Sequence, residues 1–165
     1  MKSIYLIGFM GSGKTSIAIR LQEKLNLKLQ DTDQMIEANY QMEIPTIFAE
    51  KGEETFREYE SSVLKQTEQE DTIVATGGGI IEREENRLWL QNKRNVFFLE
   101  TTWEEISQRL IGDQSRPIWN NQSRDKQQLL EQRLPKYQEV ATYIIKTDGK
   151  SVEQIADQII SKLDA

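Results

Sequence analysis

The sequence predicts an α/β fold: a three-layer α/β/α domain with a five-stranded parallel sheet, built around a phosphate-binding loop. Three observations predict it. Short apolar runs alternate with helical stretches along the whole chain of 165 residues, the pattern of a parallel sheet covered on both faces. Residues 8–15 read Gly-Phe-Met-Gly-Ser-Gly-Lys-Thr, a complete G-x-x-x-x-G-K-[ST] pattern. The apolar run Ile4-Tyr5-Leu6-Ile7 leads into it and helical periodicity follows, which is the strand–loop–helix setting that a phosphate cradle requires.

Ser3–Ile7 is the first strand. After the loop, Ile17, Leu21 and Leu25 recur at four-residue spacing and predict a helix with one apolar face. Leu27–Gln30 is a short second strand ending at Asp31. Gln34 to about Tyr40 and Pro45 to about Glu50 read as short helices, and a longer one runs from about Glu53 to Glu68 past Phe56 and Val63-Leu64. Thr72–Ala75 is the third strand and gives way to Gly77-Gly78-Gly79. A helix over roughly Glu82–Gln91 leads to the fourth strand, Asn95–Leu99, and Thr102 with Glu105 forms a capping box that opens the next helix. The polar stretch from Gly112 to about Asp125 interrupts the alternation. Helical sequence resumes through Leu129-Leu130, Ala141–Lys146 is the fifth strand, and Ser151 with Gln154 caps a final helix whose Val152, Ile155, Ile159 and Leu163 share one face. No repeat or Pro/Gly/Ser-rich linker divides the chain, so residues 1–165 read as one domain.

Composition narrows the chemistry. The chain has no histidine and no cysteine, which removes imidazole and thiolate as base, nucleophile or zinc ligand. Catalysis falls to carboxylates, Lys, Arg, hydroxyls and backbone amides, a set that phosphoryl transfer tolerates because it depends on positioning and charge stabilisation. The net charge of −6 argues against a nucleic-acid backbone as partner and leaves small metabolites. No apolar stretch is long enough for a secretory signal or a membrane span, so the expected location is cytoplasmic and no membrane partner is expected. Nothing indicates an obligate apolar interface, and the expected state is a monomer.

The site residues follow from the loop outward. Gly8, Gly11 and Gly13 let backbone N–H groups converge on phosphate oxygens, Lys14 reaches the β- and γ-phosphates, and the Thr15 hydroxyl coordinates Mg²⁺. The third strand ends without an acid. Glu100 closes the fourth but reads better as a solvated strand end. Asp31 and Asp33, one residue apart, face the same way in an extended segment: one suits the metal's water shell and the other a substrate hydroxyl. The alternative for this pair is a helix cap at Asp33 with a solvated Asp31. Arg57 and Glu60 stand at i,i+3, a spacing that by itself reads as an ordinary surface ion pair. Gly77-Gly78-Gly79 permits close approach of a ligand to the backbone, or makes a tight turn. Arg109, Arg116-Pro117 and Arg133 frame the polar stretch, which reads as a lid over about residues 112–125 whose closure would bring charge to the phosphoryl group. Trp119 within it reads as a contact to ligand, to the lid's seat or to the interior.

As an ordered set these pieces resemble the shikimate kinases, from near residue 4 to near residue 160. The resemblance runs through Gly8–Thr15, Asp31-Thr32-Asp33 with Ile36-Glu37, Gly52-Glu53, Phe56-Arg57 with Glu60, Gly77-Gly78-Gly79, Arg109, Arg116-Pro117, and Arg133 with Tyr137. It implies a P-loop kinase fold of the nucleoside-monophosphate-kinase type with a mobile lid, and transfer of the γ-phosphate of ATP to the 3-hydroxyl of shikimate on the way to chorismate and the aromatic amino acids. By the same resemblance Gly11, Ser12, Gly13, Lys14, Thr15 and Ser16 would bind nucleotide, and Arg109 would lie against the adenine. Asp31 would support one Mg²⁺ beside Thr15. Asp33 would bind the ring hydroxyls and accept a proton, and Arg57, Arg133 and the glycines 77–79 would hold the substrate carboxylate. Lys14 and Arg116 would stabilise the transferring phosphoryl group. Two segments depart from the family pattern: Arg-Pro is followed by Ile118-Trp119-Asn120-Asn121 where two leucines are usual, and Thr147–Lys150 matches loosely. The competing readings are another small-metabolite kinase, such as a gluconate kinase, and a catalytically silent binding homologue.

Overall fold

The structure, a computed structural model, describes residues 1–110 and 123–163. Strands β1 (Ile4–Ile7), β2 (Lys28–Asp31), β3 (Thr72–Ala75), β4 (Asn95–Glu100) and β5 (Tyr143–Lys146) form one sheet in the order β2-β3-β1-β4-β5. Every pairing is parallel. The intervening helices are α1 (Lys14–Leu25), α2 (Thr32–Tyr40), α3 (Ile44–Lys65), α4 (Glu84–Gln91), α5 (Trp103–Leu110), α6 (Ser123–Val140) and α7 (Val152–Leu163).

The layers follow from the side-chain alternation of strands. Tyr5, Ile7, Val74, Val96 and Phe98 point to one face and pack with Leu64, Leu90 and Tyr137 from α3, α4 and α6. Ile4, Leu6, Ile73, Phe97 and Leu99 point to the other and pack with Ile17, Leu21, Ile155 and Ile159 from α1 and α7. Since both faces are covered, the central strands are apolar except at their ends, Thr72 on β3 and Asn95 and Glu100 on β4, and each buried Leu or Ile contributes about 1.5–3 kcal/mol. The edge strands differ: Lys28 on β2 and Lys146 on β5 are exposed. Outside the sheet, Ile36, Ile47, Phe56 and Val63 seal α2 against α3 in a third cluster.

The predicted break between two helices after Glu50 is present. α3 begins with Pro45 in its first turn and is interrupted at Gly52, whose φ of 84° and ψ of 168° leave the helical region. Three local expectations change. The cap of α2 is Asp31, not Asp33, because the helix already starts at Thr32. α4 starts at Glu84 after Arg83, which frees Glu82 for other partners. The Thr102–Glu105 box is not reciprocal: Asp148 accepts from the Thr102 N–H at 3.0 Å, while Glu105 pairs with Arg109. The Ser151–Gln154 box forms both of its bonds, at 2.8 and 3.1 Å.

Candidate active site

β1 runs up the centre of the sheet and delivers the glycine loop to its carboxyl edge, where ligands of such sheets bind. The loop turns into α1 through Gly13, whose φ of 93° and ψ of 15° place it in the left-handed region that side chains disfavour. The Ser12 N–H donates to the Phe9 carbonyl at 3.1 Å, closing the turn. Lys14 Nζ donates to the carbonyls of Gly8 at 2.6 Å and Phe9 at 3.0 Å, so its ammonium spans the loop. Arg109 reaches over from α5 and donates to the Gly11 carbonyl at 3.0 Å, with Glu105 bracing the guanidinium at 3.2 Å.

The neighbouring strands bring the acids and the glycines to the same edge. Asp31 Oδ1 accepts from the N–H groups of Asp33 at 2.9 Å and Gln34 at 3.2 Å. After β3, the Gly77 N–H donates to Thr32 Oγ1 at 3.0 Å, which pins the triple glycine against the start of α2. The result is two adjoining cavities. One, of about 250 Å³, is lined by Gly11, Gly13, Lys14, Thr15, Ser16, Asp31 and Arg109. The other, of about 210 Å³, has Arg57, Glu60, Gly79 and Arg133 on its polar side and Ile44, Pro45 and Phe48 on its apolar side. Asp33, Gly77 and Gly78 line both. Asp33 therefore stands where a phosphate donor and an acceptor would meet.

The Arg57–Glu60 pair is buried, and its reading as a surface ion pair is overturned. Arg57 is 6% exposed and Glu60 1%. Arg57 Nη1 donates to Glu60 at 2.9 Å and Nη2 to Glu53 at 3.2 Å. Spacing could not reveal this, because the burial comes from the triple glycine laid over the guanidinium: a Cβ on Gly79 would lie 2.6 Å from Arg57 Cζ. Arg133, 2% exposed, enters from α6, with Nε donating to Glu82 at 3.0 Å and the guanidinium over the Phe9 ring. Arg57 Nε and Arg133 Nη1 are buried with no hydrogen-bond partner among the described residues. Charged donors left unsatisfied in the interior are expensive, and an anionic acceptor in the cavity is what removes the penalty.

Burial shapes the protonation of the site. It pushes the Glu60 carboxyl up to about 7, against the pull of Arg57. Burial also raises the Tyr137 phenol, whose hydroxyl donates to the Gly78 carbonyl. Burial alone would raise Glu82 as well, but Lys136 and Arg133 hold it below the usual carboxylate range. Glu82 and Lys136 were not legible as site residues, since their pairing crosses from the loop after β3 to α6. As a site residue Glu53 entered the sequence reading only through the family resemblance; its i,i+4 spacing to Arg57 is the signal that could have found it.

Thr15 and Asp31 offer hard oxygen donors to the first cavity, and Asp31 Oδ2 accepts no hydrogen bond among the described residues. That donor set fits Mg²⁺, which keeps several waters and takes few protein ligands. Among the described residues no group of three His, Cys, Asp or Glu side chains is placed to hold a metal. Glu100 lines a separate cavity with Trp103 and Asp148. Arg116, Pro117, Ile118, Trp119 and the lid assigned to about residues 112–125 lie outside the described residues, apart from the first turn of α6.

The shikimate kinase family model matches residues 10–164. A shikimate kinase of Bacillus cereus is 43% identical over 164 residues, covering 99% of each chain. One of Vibrio parahaemolyticus is 39% identical over 166 residues, covering 99% of this chain and 96% of its own. Among solved structures, the shikimate kinase from Acinetobacter baumannii in complex with shikimate superposes with a TM-score of 0.93 at 35% identity, covering 99% of this chain and 93% of that one. The shikimate kinase from Bacteroides thetaiotaomicron follows with a TM-score of 0.89 at 30% identity, covering 99% of both chains. With the phosphate loop, the two joined cavities and full-length relatives in agreement, the chain belongs to the shikimate kinase family.

Proposed function

We propose that the protein transfers the γ-phosphoryl group of ATP to the 3-hydroxyl of shikimate, giving shikimate 3-phosphate and ADP. The observation that carries this reading is the pair of unsatisfied buried arginine nitrogens, Arg57 Nε and Arg133 Nη1, in a cavity joined at Asp33 to the glycine loop. Shikimate presents one carboxylate and three hydroxyls. The arginines and the amides of Gly77, Gly78 and Gly79 take the carboxylate, and the Asp33 carboxylate takes the ring hydroxyls at the opposite end.

The roles follow from position. The backbone of Gly11, Ser12, Gly13 and Ser16 with Lys14 cradles the phosphates, and Arg109, fixed over Gly11, lies beside the base. The 3-hydroxyl gives its proton to Asp33 as its oxygen forms the bond to phosphorus, while the bond from the γ-phosphorus to the bridging oxygen of ADP breaks. Lys14 offsets charge on the transferring group, and Arg116, outside the described residues, would add to it as the family resemblance implies. Thr15 and Asp31 would hold Mg²⁺, which supplies charge neutralisation on the β- and γ-phosphate oxygens when bound. Asp31 spends one oxygen on the cap of α2, so its remaining oxygen suits the ion's water shell better than direct coordination. The protein acts as one domain, a monomer in the cytoplasm, with no nucleic-acid or membrane partner. Within the described residues no helix is long and apolar enough to cross a membrane.

A coupled assay of ADP release over shikimate, gluconate and nucleoside monophosphates tests the assignment. Turnover with shikimate alone is expected. Turnover only with gluconate or a monophosphate would overturn it, and calorimetric binding of ATP and shikimate without product would leave a silent homologue.

A further inference from the structure

Among the described residues, Glu60 is the one buried acid of the acceptor cavity that the transfer step does not use. Its carboxyl faces charged or titratable groups on every element around it. Arg57 lies beside it on α3, with Glu53 behind the guanidinium. Asp33 faces it from α2, Arg133 and Tyr137 from α6, and Glu82 lies beyond Arg133. Gly77 keeps the two acids close: one point beside its Cα, where a side chain would begin, lies 2.8 Å from Asp33 Oδ1 and 3.1 Å from Glu60 Oε2. A substrate carboxylate on Arg57 and Arg133 becomes a third negative charge in this space, screened from water.

We propose that Glu60, which pairs with Arg57 in the unliganded site, takes up one proton when the substrate carboxylate binds. The inference rests on the reading that Arg57 and Arg133 hold that carboxylate. An incoming anion disfavours the ionised form of a neighbouring acid, and Glu60 already stands near neutrality through burial. The proton comes from solvent and ends on Glu60, so that Arg57 exchanges one carboxylate partner for another and the number of negative charges in the cavity stays constant. The sign follows by linkage. A substrate that binds with a proton binds best below about pH 7, where Glu60 is already protonated, and loses affinity as pH rises above that value, by at most about tenfold per pH unit for one proton. Few other groups report in this range: the chain has no histidine or cysteine. The α-amino group lies at the opposite end of β1, paired with Asp71 at 3.0 Å.

The test is titration calorimetry of the intact protein with shikimate, without nucleotide so that no phosphate titrates. Runs at pH 7.5 in two buffers of different ionisation enthalpy count protons, and Kd is followed from about pH 6 to 9. Net uptake of a substantial fraction of one proton, with Kd rising above pH 7, is expected for the unaltered protein. Glu60→Gln, which keeps an acceptor for Arg57, is expected to remove both the uptake and the pH slope. A purely structural Glu60 would give neither signal in the unaltered protein, and that result would overturn the proposal without any variant. Uptake that persists in folded Glu60→Gln would overturn it equally. The methyl ester of shikimate separates the two layers of the argument. An ester that binds as tightly as the acid removes the arginine–carboxylate reading and the proposal with it. An ester that binds weakly, beside an acid that takes up no proton, removes the role of Glu60 alone.

Discussion

The phosphate end of the site is made from backbone, whereas the acceptor end is made from side chains. At the phosphate end, Gly13 sits in a left-handed conformation and the loop presents N–H groups and a helix terminus, so the determinants lie within one short segment. At the acceptor end, Arg57 and Arg133 come from helices distant in sequence and are held by Glu53, Glu60 and Glu82. A backbone cradle is rigid once the turn is formed. A side-chain cradle is only as well placed as the carboxylates that hold it, and each of those can be altered singly. The two ends should therefore fail independently, and Asp33, which lines both cavities, should be where they fail together.

The largest effect is expected there. Asp33→Asn should lower kcat about 100- to 10,000-fold while ATP binding, measured calorimetrically, stays intact; retained turnover would remove Asp33 from the proton transfer. Arg57→Ala comes next and should weaken shikimate binding by about 2–5 kcal/mol, because it unpairs the buried Glu60 carboxylate as well as losing the substrate contact. Its ATP affinity should not change, and a parallel loss of ATP affinity would break the division between the two ends. Gly79→Ala and Gly13→Ala form a matched pair of smaller effects, about 1–3 kcal/mol each. The first pushes the Arg57 guanidinium out of place and should register in shikimate binding. The second strains the loop and should register in ATP binding. Crossed results would show that the ends are coupled.

The same contrast explains what was legible in the sequence. The glycine loop could be read because its geometry is local: strand, glycines, Lys and Thr are contiguous, and the fold class followed from the alternation around them. The order of the sheet's layers followed from apolar runs covered on both faces. Arg57 was misread by spacing because i,i+3 geometry is the same for a solvated pair and a buried one, and only the triple glycine, whose approach is a tertiary event, decides between them. Asp31 and Asp33 line one cavity as expected, but not through an extended segment: the helix starts at Thr32, two residues earlier than the pattern marks, and Asp33 lies in its first turn. Glu82 gave no signal, since its partner Arg133 lies 51 positions away. Thr102 keeps half of its expected cap, accepting from the Glu105 N–H at 3.4 Å, but its own N–H goes to Asp148 across the end of the sheet, where a long-range acceptor takes the place of the Glu105 side chain.

The exposed lysines at the two margins of the sheet bear on how the protein behaves in bulk. Each outer strand is only four residues long and carries one such lysine, Lys28 or Lys146, whereas the strands between them are almost wholly apolar. A short strand bearing a charge is a poor template for a further strand from another molecule. The sheet therefore ends at its own edges rather than continuing into fibrils as concentration rises. Replacing both lysines with valine should leave kcat unchanged and raise light scattering in concentrated solution, a cost in solubility that no measurement on the dilute enzyme would detect.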